Sequence, residues 1–257
     1  MRAQTLPAAA GWRWIVGGFA IFRRNPPILA MLVAAYWFTV LFLNIIPVLG
    51  TVVSSMVIPG LSVGLMRASR NLERGHQIGL PTLYGGLKEN TRTLLALGAL
   101  YLVATLAVLG LSALFDGGNL LRYMLAGNRV ERAIVEDADF TLPVLVVVAM
   151  MTPVIMAWWF APVLAAWHRI SLVKSLFFSF VACWMNWRPF LVYSIGLLVV
   201  GGFVPGLLVG LVLIVAPGAL PFATALVTVP MALVVAPIVF ASFYVCYRDI
   251  FGISEIV

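Results

Sequence analysis

Few side chains in this sequence are able to carry chemistry, and they do not converge. Two histidines (His76, His168), two cysteines (Cys183, Cys246) and nine acidic residues are spread over 257 positions. A metal site needs three or four converging ligands. The histidines lie in different segments, and His168 meets Cys183 and Cys246 only if the fold happens to join them, so neither a metal nor another cofactor is expected. Catalysis needs paired carboxylates or a nucleophile beside a base. The chain has no Gly-x-Ser-x-Gly, no phosphate-cradling glycine loop and no His-Glu-x-x-His. Glu73, Glu89, Asp249 and Glu255 each have a basic neighbour or a terminal position. The run Glu136, Asp137, Asp139 reads as a solvated charge cluster. An enzyme is therefore not expected.

What remains is recognition by arginine, asparagine and tryptophan. Trp12, Trp14, Trp37, Trp158, Trp159, Trp167, Trp184 and Trp187 are heavy usage for this length, and most of them fall near one membrane interface, where amphipathic rings anchor. Arginines beside such rings suit a lipid head group. The candidate lipid or partner contacts are Arg23, Arg24, Asn25, Asn90, Arg169, Asn186 and Arg188. The two cysteines read as small buried apolar residues, since a disulfide in a reducing compartment is unusual.

The elements that must position these groups follow from hydropathy. Residues 26–66, 93–115, 140–167 and 189–247 carry no charged side chain. A bilayer core of about 30 Å needs roughly 20 apolar residues per helix, so the first and last runs hold two spans each and the middle two hold one each. The fold class is an all-α, polytopic transmembrane bundle in a single membrane domain. Its six spans are expected at about 28–46, 51–70, 93–115, 140–167, 189–214 and 220–247. Hydrophobic residues make up 63% of the chain and charged residues 10%, against about 25% charged in soluble domains. No cleavable signal peptide is expected, because Pro7, Arg13, Arg23 and Arg24 interrupt the first 25 residues. The span interiors lack ionisable groups, which disfavours an ion-coupled transporter.

The formal net charge of +7 is a topology signal. In a six-span arrangement Arg122, Arg129 and Arg132 fall on one side with the 116–139 loop, and all other arginines and lysines fall on the opposite side. The positive-inside rule then makes both termini cytoplasmic and 116–139 extracytoplasmic. Scattered single basic residues without a nucleic-acid motif exclude DNA or RNA as a partner.

Three short amphipathic helices are expected at the cytoplasmic interface. Their apolar sides are Trp12, Ile15, Phe19 and Phe22; then Leu80, Leu83, Tyr84 and Leu87; then Leu172, Leu176, Phe180 and Cys183. Each is followed by an asparagine, a span, a turn and a proline-broken span, with Pro59, Pro162 and Pro237 in the second spans. Setting Asn25, Asn90 and Asn186 in register aligns Phe19, Tyr84 and Phe180. This pattern is a weak internal repeat; the alternative, that any hairpin bundle with short helices matches this well, stays open. Gly60 with Gly64, and Gly202, Gly206 and Gly210, stand four apart and allow close helix approach. Packing inside the chain is expected there, with a second copy as the alternative.

The stretches GWRWIVGGFAIFRRNP, IIPVLGTVVSSMVIPGLSVGLMRAS, WWFAPVLAAWHRIS, SLFFSFVACWMNWRPFLVY and YVCYRDIFG resemble a family of uncharacterised proteobacterial inner-membrane proteins. More distantly they are similar to YciC-like proteins and to the membrane domain of some glycerophosphodiester phosphodiesterases. The resemblance covers nearly the whole chain and implies a multi-pass protein of the bacterial inner membrane. The phosphodiesterase catalytic domain has no counterpart here, so its activity is not implied. The expected function is a non-enzymatic membrane factor that binds membrane lipids, another membrane protein or a second copy of itself through its basic, aromatic face. The alternative is a permease or channel for a small or amphiphilic solute, with Pro59, Pro162 and Pro237 lining a cavity.

Overall fold

The computed structural model describes residues 3–118, 141–216, 218 and 220–252. Most of the expected 116–139 loop, with Arg122, Arg129, Arg132 and the acidic run, lies outside the described residues. Those described are helical almost throughout, without a strand among them. The helices are α1 (Ala10–Phe22), α2 (Pro26–Leu43), α3 (Leu49–Glu73), α4 (Leu80–Gly85), α5 (Thr91–Asp116), α6 (Thr141–Trp159), α7 (Ala161–His168), α8 (Leu172–Met185), α9 (Trp187–Leu198), α10 (Val204–Val215) and α11 (Leu220–Phe251).

Six membrane-crossing segments result, each within a few residues of expectation. Two are interrupted. The fourth breaks at Phe160 before Pro162, which has no N–H to continue the ladder. The fifth widens into a π turn at Val199–Phe203, just ahead of Pro205. Half of the most apolar window of α3 is buried, whereas none of the window across α9 and α10 is. Phe38, Leu41 and Phe42 on α2, Leu145 and Val148 on α6, and Leu207, Leu211 and Ile214 on α10 are all exposed. An apolar surface on this scale is stable against hydrocarbon and unstable in water.

The three short helices are α1, α4 with the 3-10 turn Gly86–Lys88, and α8. Each packs on the second span of the preceding unit, in cyclic order: α4 on α3, α8 on α6 and α7, and α1 on α11. Small residues face inward. On α8 the stripe Ser175, Ser179, Ala182 and Asn186 is buried while Val173, Phe177 and Trp184 are exposed. On α1 Trp14, Ile15, Gly18, Ile21 and Phe22 are buried, and Trp12, Val16 and Phe19 face outward. So Trp12 and Phe19 do not share the buried side of Ile15 and Phe22. Both faces of α1 are apolar, one toward the protein and one away.

The crossings occur at one depth. A Cβ on Gly18 would lie 2.6 Å from the Ile238 oxygen and the Ser242 nitrogen, and one on Gly86 would overlap the Gly60 carbonyl and the Gly64 amide. Both pairs precede the end of their helix by nine to thirteen residues, or about 16 Å at 1.5 Å per residue. On α8, Ser179 Oγ accepts from Phe160 N at 2.8 Å and donates to Met156 O at 2.8 Å. The hydroxyl thus fills the gap where an uninterrupted helix would join those two groups directly. This site too lies about eleven residues before its helix end, His168.

Candidate functional site: a basic end and an intramembrane cavity

The ends of α1, α3 and α11 meet. Arg24 Nη1 donates to the terminal α3 carbonyls of Leu72 (3.1 Å) and Glu73 (2.5 Å), which satisfies acceptors a helix leaves orphaned and opposes its dipole. The Glu73 carboxylate accepts from Tyr244 Oη at 2.7 Å and from Arg248 Nη1. Arg248 also pairs with Asp249 at 2.9 Å. These groups border an open pocket of about 670 Å3 lined by Gly17, Ala20, Ile21, Arg23, Arg24, Glu73 and Arg248. Three guanidiniums line it against the Glu73 carboxylate, with Asp249 paired to Arg248 beside it, so the excess charge is positive. Arg23 is exposed, with its guanidinium 5.4 Å from the Phe19 ring centroid. A second hollow of about 400 Å3, lined by Arg24, Asn25, Leu72, His76 and Gln77 among others, shares Arg24 with the first.

Deeper in the bundle α3, α5, α6, α7, α9 and α11 enclose a cavity of about 420 Å3. Pro59 and Pro162 line it; Pro237 does not, but Val239, Phe240 and Phe243 just beyond it do. Pro59, inside a continuous helix, and Pro162, at a break, thus border a common space from two of the three units. No charged side chain lines this cavity. Ser55 Oγ donates to Thr51 O (2.7 Å), Trp158 Nε1 to Leu97 O (2.9 Å), and Tyr193 Oη shares a hydrogen bond with Ser242 Oγ (2.7 Å). Trp159 Nε1 is buried without a partner. The walls offer aromatic and aliphatic faces and no acid–base pair.

The chain is 38% identical over 265 aligned positions to a Burkholderia thailandensis protein named a probable inner membrane protein, with 99% of this chain and 96% of the relative covered. This chain belongs to that inner-membrane protein family. No described family signature matches it, and no solved structure does. With six apolar crossings, the family member described here is a multi-pass inner-membrane protein.

Of the remaining candidates of this inner-membrane protein, Asn25 lines the hollow beside Arg24, whereas Asn90, Asn186, Arg169 and Arg188 line neither hollow. Asn186 is a correction: it is fully buried, and its amide is consumed by Leu6 N to Oδ1 (2.9 Å) and by Nδ2 to Gln4 O and Ala182 O (2.9 Å each). It clamps the N-terminal segment and is unavailable to lipid. Asn90, at φ 49°, donates to Ala165 O (2.9 Å) and accepts from Thr93 Oγ1 (3.0 Å), tying α5 to α7. Asn25 caps α2 through Ile28 N at 3.4 Å. Arg169 is exposed at the end of α7, and Arg188 is exposed 5.4 Å from the Trp187 ring centroid; neither lines the cationic pocket.

Sequence reasoning did not single out Tyr244 and Arg248 as partners of Glu73, nor Arg70 stacked 4.2 Å over the Trp167 ring. The one signal was positional, a charged residue at the end of each of α3 and α11. Cys183 and Cys246 are free and buried, and burial pushes the Cys183 thiol up. Among the described residues no three His, Cys, Asp or Glu gather as metal ligands.

Proposed function

We propose that this protein is a non-enzymatic membrane factor that binds anionic lipid head groups at the basic end of its bundle, with both termini in the cytoplasm. The observation that carries the reading is the convergence of Arg23, Arg24 and Arg248 on one open pocket. Guanidinium forks match phosphate oxygens in geometry and charge. Phe19, exposed on α1 beneath the Arg23 guanidinium, offers apolar surface suited to acyl chains beside the head group. Glu73 and Asp249 occupy only part of the donor capacity.

Binding is tested with the full chain in nanodiscs, titrated with phosphatidylglycerol against phosphatidylcholine. Each basic residue near an anionic surface contributes about 1 kcal/mol, so Arg23→Ala with Arg24→Ala is expected to cut the anionic preference by roughly an order of magnitude or more. Raising ionic strength should erode the preference in the wild type. Equal retention of both lipids by the wild-type protein would exclude the proposal. The permease reading has one observation in its favour, the proline-bordered cavity, whose apolar walls suit a hydrocarbon better than a polar solute.

A further inference from the structure

The intramembrane cavity shares no lining residue with the cationic pocket and stands on separate observations. It sits several helical turns inside the bundle, since Pro59, Ser62 and Met66 on its α3 wall all lie well before Glu73. The spans around it turn apolar side chains outward, so the medium at this depth is hydrocarbon. Its rim is open: Tyr101 is 36% exposed and rests edge-on against Trp158, with ring centroids 5.7 Å apart. Apolar cavities stay free of water. Left empty, the walls would forgo the dispersion contacts that packed interiors make. A volume of about 420 Å3 falls in the range of about 300–1,000 Å3 for small-molecule sites.

We propose that this cavity is a lipid site, entered sideways from the bilayer and filled by an acyl chain of one membrane lipid. Hydrocarbon is the only abundant ligand at this depth, and the walls ask for nothing else. Ser55, Trp158 and Tyr193 have their hydrogen-bonding groups committed to the protein. The chain would lie among the α3, α5, α9 and α11 walls, beside the ring contacts that Trp159 of α6 makes with Phe190 and Phe243.

The experiment uses the full protein in phosphatidylcholine vesicles containing a phosphatidylcholine with a photoactivatable diazirine in its acyl chain. This lipid is zwitterionic, so head-group charge at the basic end plays no part. After irradiation, adducts are mapped by mass spectrometry. Adducts on Met66 and Val163 should saturate as the probe fraction rises, while adducts on exterior residues such as Phe38 and Leu207 should grow in proportion to it. Ser62→Phe, which fills the space, should lower the cavity adducts roughly tenfold, equivalent to about 1.4 kcal/mol, and leave the exterior ones unchanged. Arg23→Ala with Arg24→Ala should not alter cavity labelling. Absence of cavity adducts, or their growth in proportion to the exterior ones, would overturn the proposal in the wild-type protein alone, whether or not Ser62→Phe folds.

Discussion

Asn186 shows how one side chain is committed by its surroundings. Its amide makes three hydrogen bonds, and two of its partners, Gln4 and Leu6, belong to the segment ahead of α1. The same segment bonds α11 through Gln4 N to Ile250 O at 2.8 Å. Asn186→Ala would remove the partners of partly buried groups on that segment, at about 1 kcal/mol each. The expected outcome is a lower unfolding temperature, with faster amide exchange at residues 4–8 and less change in α5. Unaltered exchange there would contradict the clamp. Arg24 contrasts with it, because the residue is exposed and its bonds to helix-end carbonyls leave other donors of the guanidinium for a ligand.

The short helices gain their place through small residues that let backbones touch. Gly18 lies against Ile238 and Ser242, and Gly86 against Gly60 and Gly64. These neighbours are main-chain atoms of other helices, which cannot move aside as a flexible side chain would. Gly18→Leu and Gly86→Leu should each cost several kcal/mol by overpacking, read as lost folded yield in detergent and a lowered thermal midpoint. Gly206→Leu is the control, since a Cβ there meets nothing within 4 Å, and should be nearly neutral. The outcome would separate the two glycine ladders: Gly60 and Gly64 pack within the chain as expected, whereas a Cβ on Gly206 or Gly210 meets nothing within 4 Å among the described residues. The third short helix uses a hydroxyl instead of a glycine. Ser179 supplies both a donor and an acceptor to the interrupted fourth span.

At the scale of the molecule the three units close into a ring. Each short helix crosses the preceding unit's second span at a similar depth, and the segment before α1 is tied to the third unit by Asn186 and Ile250. The repeat suggested by Asn25, Asn90 and Asn186 is therefore visible as repeated packing, although the three asparagines themselves make different bonds. Net orientation belongs to this scale as well. Reporter fusions at either terminus should be active for a cytoplasmic reporter and silent for a periplasmic one, and a fusion within 119–139 should show the reverse. A periplasmic terminus would remove the basis for the positive-inside assignment.

The span count and the location of the crossings were legible in the residues alone, because hydrocarbon imposes length and charge limits that act on every stretch separately. Of the proline positions only Pro162 marked a break in the residues alone, through its missing N–H; Pro59 and Pro237 lie inside continuous helices, and the π turn ahead of Pro205 was not foreseen. Partnership was not legible. That Glu73 meets Tyr244 and Arg248, that Asn186 faces inward, and which side of α1 is buried all depend on which helices become neighbours. When both faces of a short helix are apolar, periodicity cannot choose between protein and lipid. Only the close approach of backbones at Gly18, Gly86 and Ser179 makes that choice, and it exists nowhere but in the assembled bundle.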